Sequence, residues 1–143
     1  MPIILKKAAI TPPIYRRLRM RRVVIAEDSI RWRMELKDIL LSHGYSVVGE
    51  TTDGRTAIEL YLRLRPDLII LDARMPEMDG ATAIKELRRK DPDVVAVISA
   101  GSGEKDCVLE ALSAGAADFI TKPFAERRVV NTLRRVMMGI GMR

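Results

Sequence analysis

Short apolar runs alternate with amphipathic stretches from about residue 22 to residue 138. The apolar runs predict five strands, over 23–26, 46–49, 68–71, 94–98 and 119–120. The first, third and fourth runs are almost continuously apolar, which is typical of parallel strands that are covered on both faces.

The stretches between these runs repeat apolar residues every three or four positions, the period of a helix with one buried face. They predict helices over about 29–43, 53–65, 80–90, 104–114 and 126–138. Five successive strand–helix units predict right-handed crossovers. The expected architecture is therefore a three-layer α/β fold, in which a doubly wound, five-stranded parallel sheet lies between two layers of helices.

The net charge of +6 is concentrated at the N-terminus. Residues 1–22 hold seven basic residues and no acid, which leaves 18 basic and 19 acidic residues in 23–143. We therefore divide the chain into a basic N-terminal leader, 1–21, expected to be flexible and dispensable, and one domain, 22–143. Contact with an anionic surface and packing as an extra segment are alternatives for the leader. Met20 is an alternative start of the protein.

The cysteine content and the lack of long apolar runs bear on the cellular compartment. Cys107 is the single cysteine, so an intrachain disulfide is excluded, as is usual in reducing compartments. No apolar run reaches the roughly 18 residues of a membrane span, and the N-terminus lacks the apolar core of a secretory signal. We expect a cytoplasmic location and no membrane span.

The carboxyl ends of the predicted strands bear polar groups of three kinds: carboxylates, a hydroxyl and an ammonium. In chain order these are Glu27 and Asp28, Asp72, Ser99, and Lys122. Ligands of doubly wound sheets bind at this edge. Each residue also has a simpler role on its own: Asp28 as a helix cap, Lys122 as a solvated charge and Ser99 as a turn residue. Their joint occurrence at the ends of four strands argues against independent structural roles.

Three carboxylates at one edge repel one another, by about 4 kcal/mol per pair at ~4 Å and an effective dielectric of ~20. Such a cluster either raises a pKa or binds a cation. Oxygen ligands without histidine or cysteine favour a hard ion such as Mg²⁺, which also binds phosphates. Asp72 is then a candidate nucleophile that forms an aspartyl phosphate, with Lys122 and Ser99 stabilising the phosphoryl oxygens.

Four segments of the chain match a known family. They are Val-Val-Ile-Ala-Glu-Asp at 23–28, Pro-Asp-Leu-Ile-Ile-Leu-Asp-Ala-Arg-Met-Pro-Glu-Met-Asp-Gly at 66–80, Ile-Ser-Ala at 98–100 and Ala-Gly-Ala-Ala-Asp-Phe-Ile-Thr-Lys-Pro-Phe at 114–124. Over about 22–138 the chain resembles the receiver domains of bacterial two-component response regulators, in particular the CheY type that acts in chemotaxis. The resemblance implies a flavodoxin-like sheet with strand order 2-1-3-4-5, of which CheY is itself a standard example.

The resemblance also implies a role for each site residue. Asp72 would be the phosphoacceptor, and Mg²⁺ (or Mn²⁺ as an alternative) would bind Asp28, Asp72 and the backbone carbonyl of Arg74, with Glu27 acting through water. Lys122 would contact the phosphoryl group, and its peptide bond to Pro123 is typically cis in the family. The two switch residues, which would rearrange on phosphorylation, are Ser99 and Phe119.

Three of these positions differ from the commonest family pattern. Glu27 replaces an aspartate, Ser99 replaces a threonine, and Phe119 lacks the phenol hydroxyl found in some relatives. None of the three removes the chemistry. Together with Arg74 and Gly101, which flank the site, they leave the lifetime of the phosphoryl group open.

The resemblance implies a signalling protein and not an enzyme, although such domains assist their own phosphorylation and dephosphorylation. The expected partners are a histidine kinase as phosphodonor, a downstream protein such as the flagellar motor switch, and a phosphatase. No DNA-binding domain is expected, because only five residues follow the last predicted helix. The main alternative to a chemotaxis protein is a stand-alone receiver in a phosphorelay or another two-component pathway. Two further alternatives are a protein that binds nucleic acid through its basic arm and a fragment of a longer regulator.

Other candidate motifs have structural interpretations. His43 is expected to cap the first helix at its C-terminal end, and Cys107 is expected to be partly buried. The sequence Gly101-Ser102-Gly103 lacks the further residues of a nucleotide-binding loop and is interpreted as the flexible loop after the fourth strand.

Overall fold

The computed structural model describes residues 20–139, in which five strands alternate with five helices. The strands are β1 (Arg21–Ala26), β2 (Tyr45–Thr51), β3 (Leu68–Asp72), β4 (Ala96–Ala100) and β5 (Asp118–Thr121). The helices are α1 (Ile30–Ser42), α2 (Gly54–Leu64), α3 (Gly80–Lys90), α4 (Lys105–Ala114) and α5 (Glu126–Met137). Almost all of the leader, and with it the nucleic-acid-arm hypothesis, lies outside the described residues.

All neighbouring strands pair in parallel, in the order β2-β1-β3-β4-β5. This confirms the doubly wound α/β fold and the flavodoxin-like strand order. The chain runs from β1 outward to β2 and then returns to β3 on the other side of β1. The order reverses at this point, so the edge beyond β1 and β3 is where such sheets bind ligands.

The sheet separates two apolar cores, which gives the predicted three layers. Side chains of a strand point alternately to its two faces. In β1, Val24 and Ala26 pack with α2, α3 and α4, whereas Val23 and Ile25 pack with α1 and α5. Within residues 20–139, none of the helices combines the length and apolar character that crossing a bilayer requires.

Three helices begin with a side chain that caps their first turn. Ser29, Asp53 and Asp79 each accept a hydrogen bond from the backbone N–H three residues later, at 3.4, 2.8 and 2.8 Å. A cap of this kind contributes about 1 kcal/mol. Because Ser29 caps α1, the capping role considered for Asp28 is not used, and Asp28 is exposed just before the helix.

The fourth strand lies two residues later than predicted, at Ala96–Ala100 in place of 94–98. After α3 the chain makes a turn in which the Val94 N–H donates to the Asp91 carbonyl at 3.1 Å, and only then enters the sheet. Val94 is buried although it lies before the strand. Its apolar character was therefore misleading as a sign of where β4 begins. As a result Ser99 lies within β4 and not beyond its end.

Candidate functional site

Three carboxylates meet at the carboxyl edge of the sheet. Oxygen atoms of Glu27, Asp28 and Asp72 all lie within 4.8 Å of one another. Glu27 and Asp72 are only 1% and 4% exposed, whereas Asp28 is open to solvent. The cluster forms because β1 and β3 are paired neighbours whose carboxyl ends coincide.

Lys122 brings a positive charge into this cluster from the loop after β5. Its Nζ lies 2.7 Å from Glu27 Oε1 and 3.2 Å from Asp72 Oδ1, and its side chain is 10% exposed. The Lys122 backbone N–H donates to the Ala100 carbonyl at 2.8 Å, and the peptide bond to Pro123 is cis. One ammonium facing three carboxylates leaves a local excess of negative charge.

Glu27 is fixed by contacts on its backbone and its side chain. Its N–H donates to the Thr51 carbonyl at 2.9 Å, and its Oε2 accepts from the Ser29 N–H at 3.0 Å. Its carbonyl accepts from Arg33 Nη1 at 2.7 Å. The buried Oε1 atom has the Lys122 ion pair but no well-directed hydrogen bond. A carboxylate oxygen in this state can still accept a hydrogen bond, for example from a water molecule.

The crowding of charges changes the acid–base behaviour of the site. Burial first, and then the charge and close approach of the Glu27 carboxylate, raise the pKa of Asp72 from 3.8 to about 7, although Lys122 opposes this change. Burial alone would lower the pKa of Lys122, but its close contact with Glu27 and the charges of both carboxylates raise it. A bound cation would relieve the repulsion that raises the pKa of Asp72.

The donor set fits a hard divalent ion. The clustered side chains supply only oxygen atoms, and histidine and cysteine are absent from this group within the described residues. Mg²⁺ prefers such oxygens and usually binds one or two carboxylates together with phosphate. Arg74, whose carbonyl was predicted as a further ligand, follows directly after the cluster, and its N–H donates to Asp72 Oδ1 at 3.4 Å.

Ser99 lies on β4, the strand next to β3, and Phe119 lies on β5, the edge strand beyond β4. Ser99 is buried and paired with Asp72, and its carbonyl accepts from the Ala73 N–H at 2.8 Å. Phe119 is half-buried in β5 opposite Ile98. The side chain of Phe119 packs against the core on the α4 side of the sheet. The residue also borders a groove of about 350 Å³ between β5 and α5, together with Asp118, Thr121, Arg128, Asn131 and Arg135.

Two residues of the site were missed in the sequence. Gly80 packs so closely that an added Cβ would lie 2.7 Å from both the Asp72 carbonyl oxygen and Ile98 Cδ1. Its signal was present, because Gly80 ends the segment 66–80 used for the resemblance. Arg33 gave no comparable signal, since an arginine on an amphipathic helix looks like a solvated surface charge.

The remaining predictions concern residues away from the carboxylates. His43 is the C-cap of α1, as predicted, and its Nε2 also lies 2.7 Å from Glu126 Oε2, a contact with α5 that was not predicted. Cys107 is partly buried, as expected. In the loop after β4, the Gly101 N–H donates to Glu104 Oε1 at 2.7 Å, and Glu104 Oε2 lies 3.7 Å from Arg74 Nε.

Comparison with known proteins then identifies the family. The family model for the response regulator receiver domain matches residues 23–134. The chain belongs to this family. A receiver domain is a phosphoacceptor signalling domain of two-component systems, and its acidic pocket binds Mg²⁺; the cluster of Glu27, Asp28 and Asp72 is compatible with that ion.

Similar receivers include chemotaxis proteins. The chain is 47% identical to the chemotaxis protein CheY of Thermotoga maritima over 116 residues, which cover 81% of this chain and 97% of that protein. It is 40% identical to CheY of Bacillus subtilis with the same coverage of both chains.

Among solved structures, the receiver domain of NarL from Mycobacterium tuberculosis matches with a TM-score of 0.77 at 32% identity. That match covers 85% of this chain and 98% of the receiver domain. CheY in the CheX–CheY–BeF3–Mg complex from Borrelia burgdorferi matches with a TM-score of 0.74 at 29% identity, covering 85% of this chain and 90% of the other.

Proposed function

We propose that Asp72 of this receiver accepts a phosphoryl group from the phosphohistidine of a histidine kinase. The observation that carries the proposal is the position of Lys122 Nζ, 3.2 Å from the Asp72 carboxylate at an otherwise acidic edge. A buried carboxylate beside an ammonium combines a nucleophile with a group that stabilises negative charge on phosphoryl oxygens.

In the transfer step, a carboxylate oxygen of Asp72 forms a bond to phosphorus while the phosphorus–nitrogen bond of the phosphohistidine breaks. The bonding electron pair leaves with the imidazole. Lys122 is close enough to Asp72 Oδ1 for its ammonium to shift its contact from the carboxylate to the phosphoryl oxygens during transfer. The Ser99 hydroxyl is proposed to donate to the same oxygens, since Ser99 is paired with Asp72 in the sheet.

Mg²⁺ is the proposed cofactor, held by Asp28, Asp72 and the Arg74 carbonyl, with Glu27 acting through water. When bound, the ion neutralises charge on the carboxylates and on the phosphoryl group. Asp28 suits direct ligation because it is exposed at the entrance of the site. Glu27 suits an indirect role, because both of its carboxylate oxygens already have contacts, with Ser29 and with Lys122.

The output is proposed to run through Ser99 and Phe119. A phosphoryl group on Asp72 would favour the arrangement in which Ser99 approaches it and the Phe119 ring moves inward. Such a change is a shift between existing populations, biased by the new charge. Phe119 packs on the α4 side of the sheet and also borders the groove between β5 and α5, so its movement would alter the surface formed by α4, β5 and α5.

For the pathway, we propose chemotaxis in the cytoplasm, with a flagellar motor switch protein as target. Support comes from the two CheY proteins, because this chain spans 97% of the length of each. A CheX-type partner that promotes dephosphorylation is proposed on the basis of the Borrelia burgdorferi complex.

A phosphorelay or another two-component pathway is the second candidate. The chain is also 43% identical to the transcriptional regulatory protein PdtaR of Mycobacterium tuberculosis, over 73% of this chain and 51% of that protein. A receiver of this sequence type therefore also occurs outside chemotaxis.

The phosphoacceptor is tested by incubating the protein with acetyl phosphate and Mg²⁺ and measuring intact mass. Wild type should gain one phosphoryl group, and Asp72→Asn should gain none. A phosphorylated Asp72→Asn protein would show that the acceptor is a different residue. For the pathway, the phosphorylated protein should retain a motor switch protein in a pull-down, with Asp72→Asn as control; retention of a phosphotransfer protein alone would favour the relay.

A further inference from the structure

Arg33 connects three parts of the structure near the site. Its Nη1 donates to the Glu27 carbonyl at 2.7 Å, and its Nε donates to Glu50 Oε1 at 3.0 Å. The side chain is only 15% exposed. Arg33 thus joins α1, the turn after β1 and the edge strand β2.

The contact with Glu27 matters because of the residue that follows it. Asp28 is the exposed member of the carboxylate cluster. Within residues 20–139, no side-chain hydrogen bond or ion pair holds the Asp28 carboxylate. Its position is therefore set by its backbone, and the peptide that leads into Asp28 is the one whose carbonyl binds Arg33.

Glu50 in turn orients Arg33. Its second oxygen, Oε2, pairs with Lys37 Nζ at 2.6 Å, so that the carboxylate lies between two cations from α1. The hydrogen bond from Lys37 is the first cause that lowers the pKa of Glu50, so Glu50 stays ionised at neutral pH. A charge-assisted pair of this kind holds a guanidinium more firmly than a neutral acceptor would.

We propose that Arg33, oriented by Glu50, is a positioning residue for the divalent-cation site: it fixes the Glu27–Asp28 peptide and thereby the Asp28 carboxylate. This inference rests on the proposed function, since it assumes that the cluster binds Mg²⁺. Groups that orient metal ligands in this way typically account for 10–100-fold in metal affinity.

A positioning role and a purely electrostatic role of Arg33 predict opposite changes in cation affinity when Arg33 is replaced. Removing a positive charge near three carboxylates should strengthen the binding of a cation. Removing a group that positions a ligand should weaken it. Arg31 provides the matched control, because it has the same side chain and lies at an exposed position of α1. Within residues 20–139, it makes no hydrogen bond or ion pair with Glu27, Asp28 or Glu50; its guanidinium lies 4.6 Å from the centre of the Trp32 ring.

The experiment is a calorimetric titration of the metal-free protein with Mg²⁺. Arg33→Met should weaken binding by roughly 10-fold, whereas Arg31→Met should bind as tightly as wild type or slightly more tightly. The proposal is overturned when Arg33→Met binds Mg²⁺ as well as Arg31→Met does. If wild type itself binds no Mg²⁺, the proposed cofactor fails, which is a separate result from a failure of Arg33.

Two milder variants keep the test decisive if Arg33→Met does not fold, as judged by thermal unfolding without metal. Arg33→Lys keeps the charge but replaces the fork of donors by one ammonium, so it should also weaken Mg²⁺ binding. Glu50→Gln should weaken binding in the wild-type background but add little to Arg33→Lys, because both act on the same contact. Wild-type affinity in both variants would contradict the proposal.

Discussion

Lys122 Nζ lies 3.2 Å from Asp72 Oδ1 and so occupies the space next to the proposed phosphoacceptor before any phosphoryl group arrives. The same ammonium lies 2.7 Å from Glu27 Oε1. Lys122 therefore already neutralises part of the site, and it would have to share its charge with the phosphoryl oxygens during transfer. This dual role leads to a prediction in which metal affinity and rate change in opposite directions.

Lys122→Met should phosphorylate about 100-fold more slowly with acetyl phosphate, because one donor to the developing negative charge is lost. Its affinity for Mg²⁺ should rise, because a competing cation is gone. Stopped-flow phosphorylation and calorimetry measure the two quantities. Lys105→Met, at an exposed position on α4, is the control. Equal phosphorylation rates for these two variants would show that Lys122 does not assist the transfer step.

Asp72 should make the stability of the metal-free protein depend on pH. Its folded pKa is raised from 3.8 to about 7, so the folded state binds a proton more readily than the unfolded state does. Wild type should therefore lose stability as the pH rises through this range. Relative to wild type, Asp72→Asn should gain on the order of 1–3 kcal/mol at about pH 8, and the gain should vanish near pH 4.

The measurement for Asp72→Asn is urea unfolding in EDTA across this pH range. Glu110→Gln, which removes an exposed carboxylate from α4, should show no such pH-dependent gain. A constant difference between Asp72→Asn and wild type at every pH would rule out titration of Asp72 as the cause.

Trp32 should report on the site through its fluorescence. Lys122 Nζ lies 6.0 Å from the centre of the indole ring, and the Phe124 ring packs edge-on against the indole with the two ring centres 5.6 Å apart. Emission should change when Mg²⁺ and acetyl phosphate are added, because Lys122 and the loop that carries it would respond. Asp72→Asn should lose the part of the change that depends on acetyl phosphate. Unchanged wild-type emission under saturating conditions would contradict this placement of Trp32.

Gly80→Ala should lower the free energy of unfolding by about 1–3 kcal/mol, the usual cost of overpacking. The new methyl group would meet the Asp72 carbonyl oxygen and Ile98 Cδ1 at 2.7 Å. Gly101→Ala is the matched control, since the nearest atom to its added Cβ is Glu104 Oε1 at 3.7 Å. Urea denaturation of both variants provides the comparison, and equal stabilities would mean that the chain near Gly80 relaxes freely.

The strand ends were predictable from the sequence because hydrophobic periodicity fixes them to within a residue or two. This was enough to bring Glu27, Asp28, Asp72 and Lys122 to one edge of the sheet. The fourth strand was misplaced, because Val94 is buried in the turn before the strand and has the same apolar signature as a strand residue. Its true start depends on the hydrogen bond between Val94 and Asp91, which hydropathy does not encode.

The contacts of Arg33 could not be predicted for a different reason. Its partners, the Glu27 carbonyl and Glu50, lie six residues before it and 17 residues after it. Neither spacing follows a helical or strand period within one element. The contact exists only because β2 returns beside β1, so it depends on the tertiary fold.

The position of Asp72 at the end of β3 has a consequence for cooperativity. Along this central strand, Ile69 and Leu71 belong to one core, and Leu68 and Ile70 belong to the other. Any displacement of the strand therefore disturbs packing on both sides of the sheet at once. The two helical layers should melt together as one cooperative unit, and the β3 amides should be among the last to exchange with solvent. The proposed phosphoacceptor is thus attached to a strand whose opening would require both cores to come apart.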